Sequence, residues 1–161
     1  MGEPIRIGMG EFRVAHNPGV LTCVGLGSCV GLILYDAVTK TGGMAHIMLP
    51  RRGEIRRSSG PGKFADSAVE VLLNTMERHG ASKRRLLAKL FGGANMFPAV
   101  QSDVLVHVGQ RNLEAVREEL TARRIPIVAE EVGGEIGRTI LFETSNGRVR
   151  VRGAMGDERV Y

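Results

Sequence analysis

Gly25-Leu26-Gly27-Ser28-Cys29 sets a thiol in a glycine-bracketed bend, and Gly43-Met44-Ala45-His46 returns an imidazole after one apolar stretch and a turn. A thiol beside an imidazole is the minimal pair for nucleophilic attack on a carbonyl: the histidine takes the proton and enriches the nucleophilic form of the sulfur. Gly27 and Ser28 add little bulk, so backbone N–H groups around Cys29 can reach a developing oxyanion. Such sites usually contain a third group on the other imidazole nitrogen. Thr22, Cys23 and Ser28 are the local candidates, and Asn95, in the Gly92-Gly93-Ala94-Asn95 loop, is a distant one. The spacing does not choose among them.

The remaining cysteine and histidines have plainer readings. Cys23 lies in the apolar run Val20-Leu21-Thr22-Cys23-Val24 and reads as a buried, inert residue. His79 precedes a helix stop, His107 falls inside a strand pattern, and His16 adjoins the Asn17-Pro18-Gly19 turn. Gly25-x-Gly27 and Gly92-Gly93 lack the lysine and hydroxyl of a phosphate loop and the full dinucleotide fingerprint.

Positioning the pair falls to two strands. Val30 to Asp36 reads as one, Gly43 to Met48 as the next, and Ala37 to Gly42 between them has turn composition. Antiparallel pairing brings the start of the first strand to the end of the second, and so Cys29 to His46. Short strands are expected at Ile5–Ile7, Phe12–Val14, Val20–Val24, Leu86–Phe91, Val104–Val108 and Pro126–Glu130. A hairpin is expected across Ser145-Asn146-Gly147, where Asn-Gly suits a type I′ turn. Phe64, Ala65, Ala68, Val69, Leu72, Leu73 and Met76 share one helical face that ends at Gly80, and a second helix runs from Arg111 to Arg124 with Leu113, Val116 and Leu120 inward. Many strands with two helices give an α+β class, the helices covering one face of a sheet.

The 161 residues suffice for one domain over positions 1–161, without disulfide or metal. The hydrophobic fraction is 43% and the aromatic fraction 4%, so the core must be aliphatic. No apolar run approaches the ~20 residues of a membrane helix, and Met1 to Arg6 has no apolar signal segment, which places the chain in the cytoplasm. The net charge of +5 gathers at Arg51-Arg52, Arg56-Arg57, Lys83-Arg84-Arg85 and Arg123-Arg124. The Arg51–Arg57 loop beside His46 is the cluster best placed to steer an acidic partner. With few aromatic residues and no stacking motif, the charge does not make a nucleic-acid module.

Several blocks in one order carry a resemblance: Gly25-Leu-Gly-Ser-Cys29, Gly43-Met-Ala-His-Ile-Met-Leu-Pro50, Pro61-Gly-Lys-Phe-Ala-Asp66, Gly92-Gly-Ala-Asn-Met-Phe97 and Gly109-x-Arg111-Asn112. Together they resemble the chemoreceptor glutamine deamidases, CheD. The resemblance implies hydrolysis of glutamine side chains in bacterial chemoreceptors, with Cys29 as nucleophile, His46 as its histidine, Gly27, Ser28 and Asn95 around the oxyanion or substrate, and no metal or cofactor. It implies a layered α/β/β sandwich with mixed sheets, like the catalytic domain of the cytotoxic necrotizing factor toxins. Chemoreceptor cytoplasmic domains are the implied partners, together with the chemotaxis phosphatase CheC. The family's third catalytic residue is a threonine at the position held here by Cys23, with Thr22 one residue earlier; in an extended strand the two face opposite ways, so either Cys23 fills the role, its backbone carbonyl accepts the imidazole N–H, or a local bulge brings Thr22 round. A cysteine peptidase, a transglutaminase and a non-enzymatic receptor- or phosphatase-binding adaptor are the rival functions.

Overall fold

The computed structural model describes residues 2–51, 60–98 and 107–161. Its elements in chain order are β1 (Ile5–Arg6), β2 (Phe12–His16), β3 (Val20–Leu26), β4 (Val30–Asp36), β5 (Thr41–Ile47), α1 (Ala65–Arg78), β6 (Leu87–Gly92), α2 (Val108–Ala122), β7 (Ile127–Val132), β8 (Arg138–Glu143), β9 (Val149–Gly153) and β10 (Glu158–Val160). Two five-stranded mixed sheets form, with orders β1-β3-β8-β9-β10 and β2-β5-β4-β6-β7. The β1–β3 and β6–β7 pairs are parallel and the other pairs antiparallel.

The alternation of β4 and β5 sorts the core into two layers. Val30, Leu32, Leu34, Ala45 and Ile47 turn toward the helices, where Ala68, Val69, Leu72 and Met76 of α1 and Leu113, Val116 and Leu120 of α2 meet them. Ile33, Tyr35 and Met44 turn the other way, onto Leu21, Cys23, Leu26, Ile140, Phe142 and Val151 of the second sheet. The layers are therefore helices, sheet, sheet. Each fully buried aliphatic side chain contributes roughly 1.5–3 kcal/mol by leaving water, and both faces of the central sheet gain it.

The β4–β5 turn is fixed by Asp36, whose side chain is fully buried. Burial opposes its charge, but the Arg85 guanidinium and the N–H groups of Ser82, Val38 and Thr39 hold the carboxyl well below the usual range.

The expected face of α1 is buried throughout, and Gly80 ends the helix at φ 96°. Two expectations need correction. Of the strand expected at Val104–Val108, residues 104–106 lie outside the described residues, while His107 caps α2 and Val108 begins it. Val108 belongs instead to the helical series that continues through Asn112, Ala115 and Val116. The turn at Ser145-Asn146-Gly147 is not type I′, because Gly147 alone takes a positive φ there. Thr144 is drawn into the loop by its ties to Gly19 and Tyr35, which widens it past two residues. The strand β10 has no counterpart in the sequence reading; it pairs through its backbone with β9.

Candidate functional site

Cys29 ends the bend after β3 and immediately precedes β4, while His46 is the penultimate residue of β5. In the ladder Gly31 faces His46 and Val30 faces Ile47. His46 alternates with Ala45 and Ile47, which face the helices, so it shares the inter-sheet face with Met44. Cys29 packs at the margin of that inter-sheet core, on the same side. It is the diagonal neighbour of His46, a relation that separates Cα atoms by roughly 7–8 Å and lets side chains meet. Between them Gly31 has no side chain; a Cβ there would lie 2.8 Å from Ile140 Cδ1.

His46 is 4% exposed. Its Nδ1 lies 3.1 Å from the Ile7 carbonyl oxygen. A carbonyl only accepts, so Nδ1 carries the proton and Nε2 is left as the basic atom of the neutral ring. The segment Ile7–Glu11 wraps the histidine further: Gly10 N–H donates to the His46 carbonyl at 2.8 Å, and His46 N–H donates to the Glu11 carbonyl at 3.0 Å. Burial pushes the imidazole below its ordinary 6.5, opposed by the Ile7 bond and the Glu11 charge. Burial pushes the Cys29 thiol above 9.0. Both shifts favour the uncharged partners, a thiol and a neutral imidazole.

Neither candidate side chain at positions 22 and 23 holds the ring. Thr22 Oγ1 donates to the Ile140 carbonyl at 2.7 Å. The bulge of β3 falls after Cys23, between it and Leu26, and does not turn Thr22 inward. Cys23 is fully buried, with Sγ 3.3 Å from Met44 Sδ, and burial, with the Cys29 sulfur adding to it, pushes its thiol up to about 12. The residues given no role by sequence reasoning are Ile7, which acts through a carbonyl any residue carries, and Asn112, whose signals are the Gly109-x-Arg111-Asn112 block and a polar side chain on the apolar face of α2.

The bend is held by its carbonyls. Ala94 N–H donates to Gly27 O at 2.9 Å and Gly93 N–H to Cys29 O at 2.8 Å. Gly92 has to be glycine: its φ is 95°, and a Cβ would lie 2.3 Å from Cys29 O. Asn112 Nδ2 donates to Ser28 O at 3.1 Å. Among the described residues the N–H groups of Ser28 and Cys29 donate to nothing, which leaves them available to an oxyanion. Asn95 sits one loop away, its N–H on Gly134 O at 2.8 Å and its Oδ1 accepting from Phe97 N–H at 3.2 Å.

Beyond Gly134 opens a cavity of about 580 Å³ lined by Glu131, Ile136, Arg138, Met155, Asp157 and Arg159 among others. Arg138 is spent on Glu131 and the carbonyls of Gly92 and Gly133. Arg159 is paired to Glu131 and Asp157. Of its lining, Ile136 and Met155 are apolar and exposed. Of the basic loop, residues 52–59 lie outside the described residues; Arg51 pairs with Glu118 at 2.9 Å. No helix among the described residues is long and apolar enough to cross a membrane.

The family model described as CheD chemotactic sensory transduction matches residues 48–153. Three relatives share the name "Probable chemoreceptor glutamine deamidase CheD". The one from Caldanaerobacter subterraneus subsp. tengcongensis is 45% identical, over 92% of this chain and 91% of the relative. That from Clostridium novyi is 46% identical over 93% of each chain, and that from Pyrococcus abyssi 43% identical over the whole of both. Among solved structures, the Bacillus licheniformis hypothetical protein YfiH aligns at a TM-score of 0.47 and 15% identity, covering 77% of this chain and 49% of that one.

Proposed function

This chain belongs to the CheD family, and on that premise we propose that it hydrolyses glutamine side chains of chemoreceptors to glutamate through Cys29 and His46. The observation that carries the reading is the placement of Cys29 and His46 on one inter-sheet face at adjoining register, beside two N–H groups that donate to nothing among the described residues.

The reaction begins with neutral partners. As the Cys29 sulfur bonds to the glutamine Cδ, the thiol proton passes to His46 Nε2 and the carbonyl electrons move onto oxygen, where the N–H groups of Ser28 and Cys29 hold the charge. The tetrahedral intermediate collapses, His46 returns the proton to nitrogen, and ammonia leaves a thioester. Water then attacks the same carbon and gives a proton to His46; the C–S bond breaks, His46 passes that proton to the departing sulfur, and glutamate and the thiol are released. Ile7 holds the ring in the tautomer this needs throughout. No step draws on a metal or cofactor.

Because the Ile7 carbonyl already occupies Nδ1, Cys23→Thr is expected to keep deamidation within about 5-fold of wild type while lowering stability by about 1–2 kcal/mol, the hydroxyl entering a core where a thiol met Met44. Urea unfolding with parallel activity assays checks both; a loss of activity well beyond that range would show that position 23 acts on the ring.

The segment flanking the glutamine lies over the cavity beyond Gly134, where an apolar rim meets a floor of internally paired charges. Met155 is 87% exposed, so Met155→Asp leaves the fold alone. It is expected to raise KM for a receptor cytoplasmic fragment about 10-fold, the worth of one well-buried apolar contact, with kcat unchanged. An unchanged KM would move the substrate off this face.

Receptor cytoplasmic domains are the partners of this reading, and CheC is a further one; binding of purified CheC with a change in turnover tests it. The chain acts in the cytoplasm, which fractionation of cells checks. The sandwich is of the kind found in the catalytic domain of the cytotoxic necrotizing factor toxins, a relation that superposing the two catalytic pairs tests.

A further inference from the structure

We propose that Asn112 is a positioning residue that fixes the Ser28–Cys29 peptide and thereby aims the Cys29 N–H at the oxyanion, an inference that rests on the deamidase reading above. Asn112 lies on α2 and is fully buried. Its Nδ2 donates to two carbonyls, Ser28 O at 3.1 Å and Met48 O at 2.9 Å. Two carbonyls can be served only by an amide nitrogen, so the orientation of the side chain is set by its partners.

The position of those carbonyls matters more than their number. The β4–β5 ladder closes at Val30 and Ile47. Ser28 and Met48 lie just outside it, and Asn112 ties the two strand ends together where the ladder no longer does. Ser28 O and Cys29 N–H belong to one planar trans peptide and point in opposite directions. Holding the oxygen on the helix side therefore presents the hydrogen on the other side, toward which Cys29 packs. Ala94 does the same for the preceding peptide through Gly27 O, setting the direction of Ser28 N–H.

Packing gives no reason for this residue. Leu113 and Val116, its neighbours on α2, are apolar core. Asn112 Oδ1 is buried with no hydrogen-bond partner among the described residues, a state that costs about 1–3 kcal/mol. A leucine would spare that cost and lose the two donors. What the asparagine adds is the orientation of one peptide at the candidate nucleophile.

Asn112→Ala and the isosteric Asn112→Asp test the assignment with a receptor cytoplasmic fragment as substrate and iodoacetamide as a probe of each thiol. The expected result in both variants is a kcat lower by on the order of 10²–10³, the effect of losing one oxyanion donor, with KM unchanged. Alkylation of Cys29, which needs no oxyanion support, persists at the wild-type rate, and Cys23 stays protected as in the intact core. Wild-type kcat in either variant overturns the proposal. So does labelling of Cys23 in step with Cys29 in both, or failure of both to fold, since the residue would then serve stability alone. Absence of deamidation by the wild-type protein overturns the functional reading itself, and the proposal with it.

Discussion

Cys29→Ala is expected to lower deamidation of a receptor fragment by on the order of 10⁶, as removal of a nucleophile does in other covalent hydrolases, while leaving the fold intact. The second half of that expectation follows from the site. Cys29 is half-buried, at the margin of the inter-sheet core, and its part in holding the bend is played by its carbonyl, which accepts from Gly93 N–H at 2.8 Å and survives the substitution. Removing one sulfur atom there opens no enclosed void, so thermal unfolding should shift by no more than ~2–4 °C, the equivalent of about 1 kcal/mol for a chain of this size. Mass spectrometry of the fragment reads the activity: each glutamine converted to glutamate gains the mass difference between an amide and an acid. It also separates the rivals, because a peptidase cuts the fragment and a transglutaminase adds an amine. Turnover retained by the Ala variant would remove Cys29 from the reaction, whatever the fragment's fate.

The sequence carried the pairing of Cys29 with His46 because that pairing depends on two strands and a turn, all local, and on strand parity, which has a fixed period. The inward face of α1 was legible for the same reason. The group on His46 Nδ1 was not. Thr22, Cys23, Ser28 and Asn95 offer side chains and Cys23 a backbone carbonyl, but the partner is the backbone carbonyl of Ile7, brought there by the parallel β1–β3 pairing and the loop that follows it. A carbonyl has no residue type to signal it. Asn112 was out of reach for a different reason: its partners are 84 and 64 residues away, and only the packing of α2 on the central sheet brings them together. In β10 the sequence Glu158-Arg159-Val160 is too short and too charged to show a period, and its pairing is carried by the backbone. What local patterning reveals here is the adjoining placement of Cys29 and His46; what it misses is the backbone around them.

His46 bears the second large effect, and its pH dependence distinguishes two chemical starting points. In the proposed mechanism His46 takes the thiol proton and returns it to the leaving nitrogen, so His46→Ala is expected to lower kcat by about 10⁴, the upper range for general acid–base catalysis. In the wild-type protein, burial holds the imidazole below its ordinary 6.5 and the Cys29 thiol above 9.0. The competent form, neutral thiol with neutral imidazole, therefore persists across the interval between those values. The acid limb of kcat/KM lies below pH 6.5, and alkylation of Cys29 by iodoacetamide keeps rising past pH 9.0 instead of levelling near neutrality. The sign for stability follows from the same shift. The unfolded chain binds a proton at His46 more readily than the folded one, so the histidine's contribution is fully present above pH 6.5 and is lost as pH falls through the lower folded value. His46→Gln lacks that contribution and should lose less stability between neutral and mildly acid pH than wild type does in the same urea titrations. An alkylation profile that is flat from acid to alkaline pH would mean a preformed thiolate–imidazolium pair, and would overturn the neutral starting state along with the proton path drawn from it.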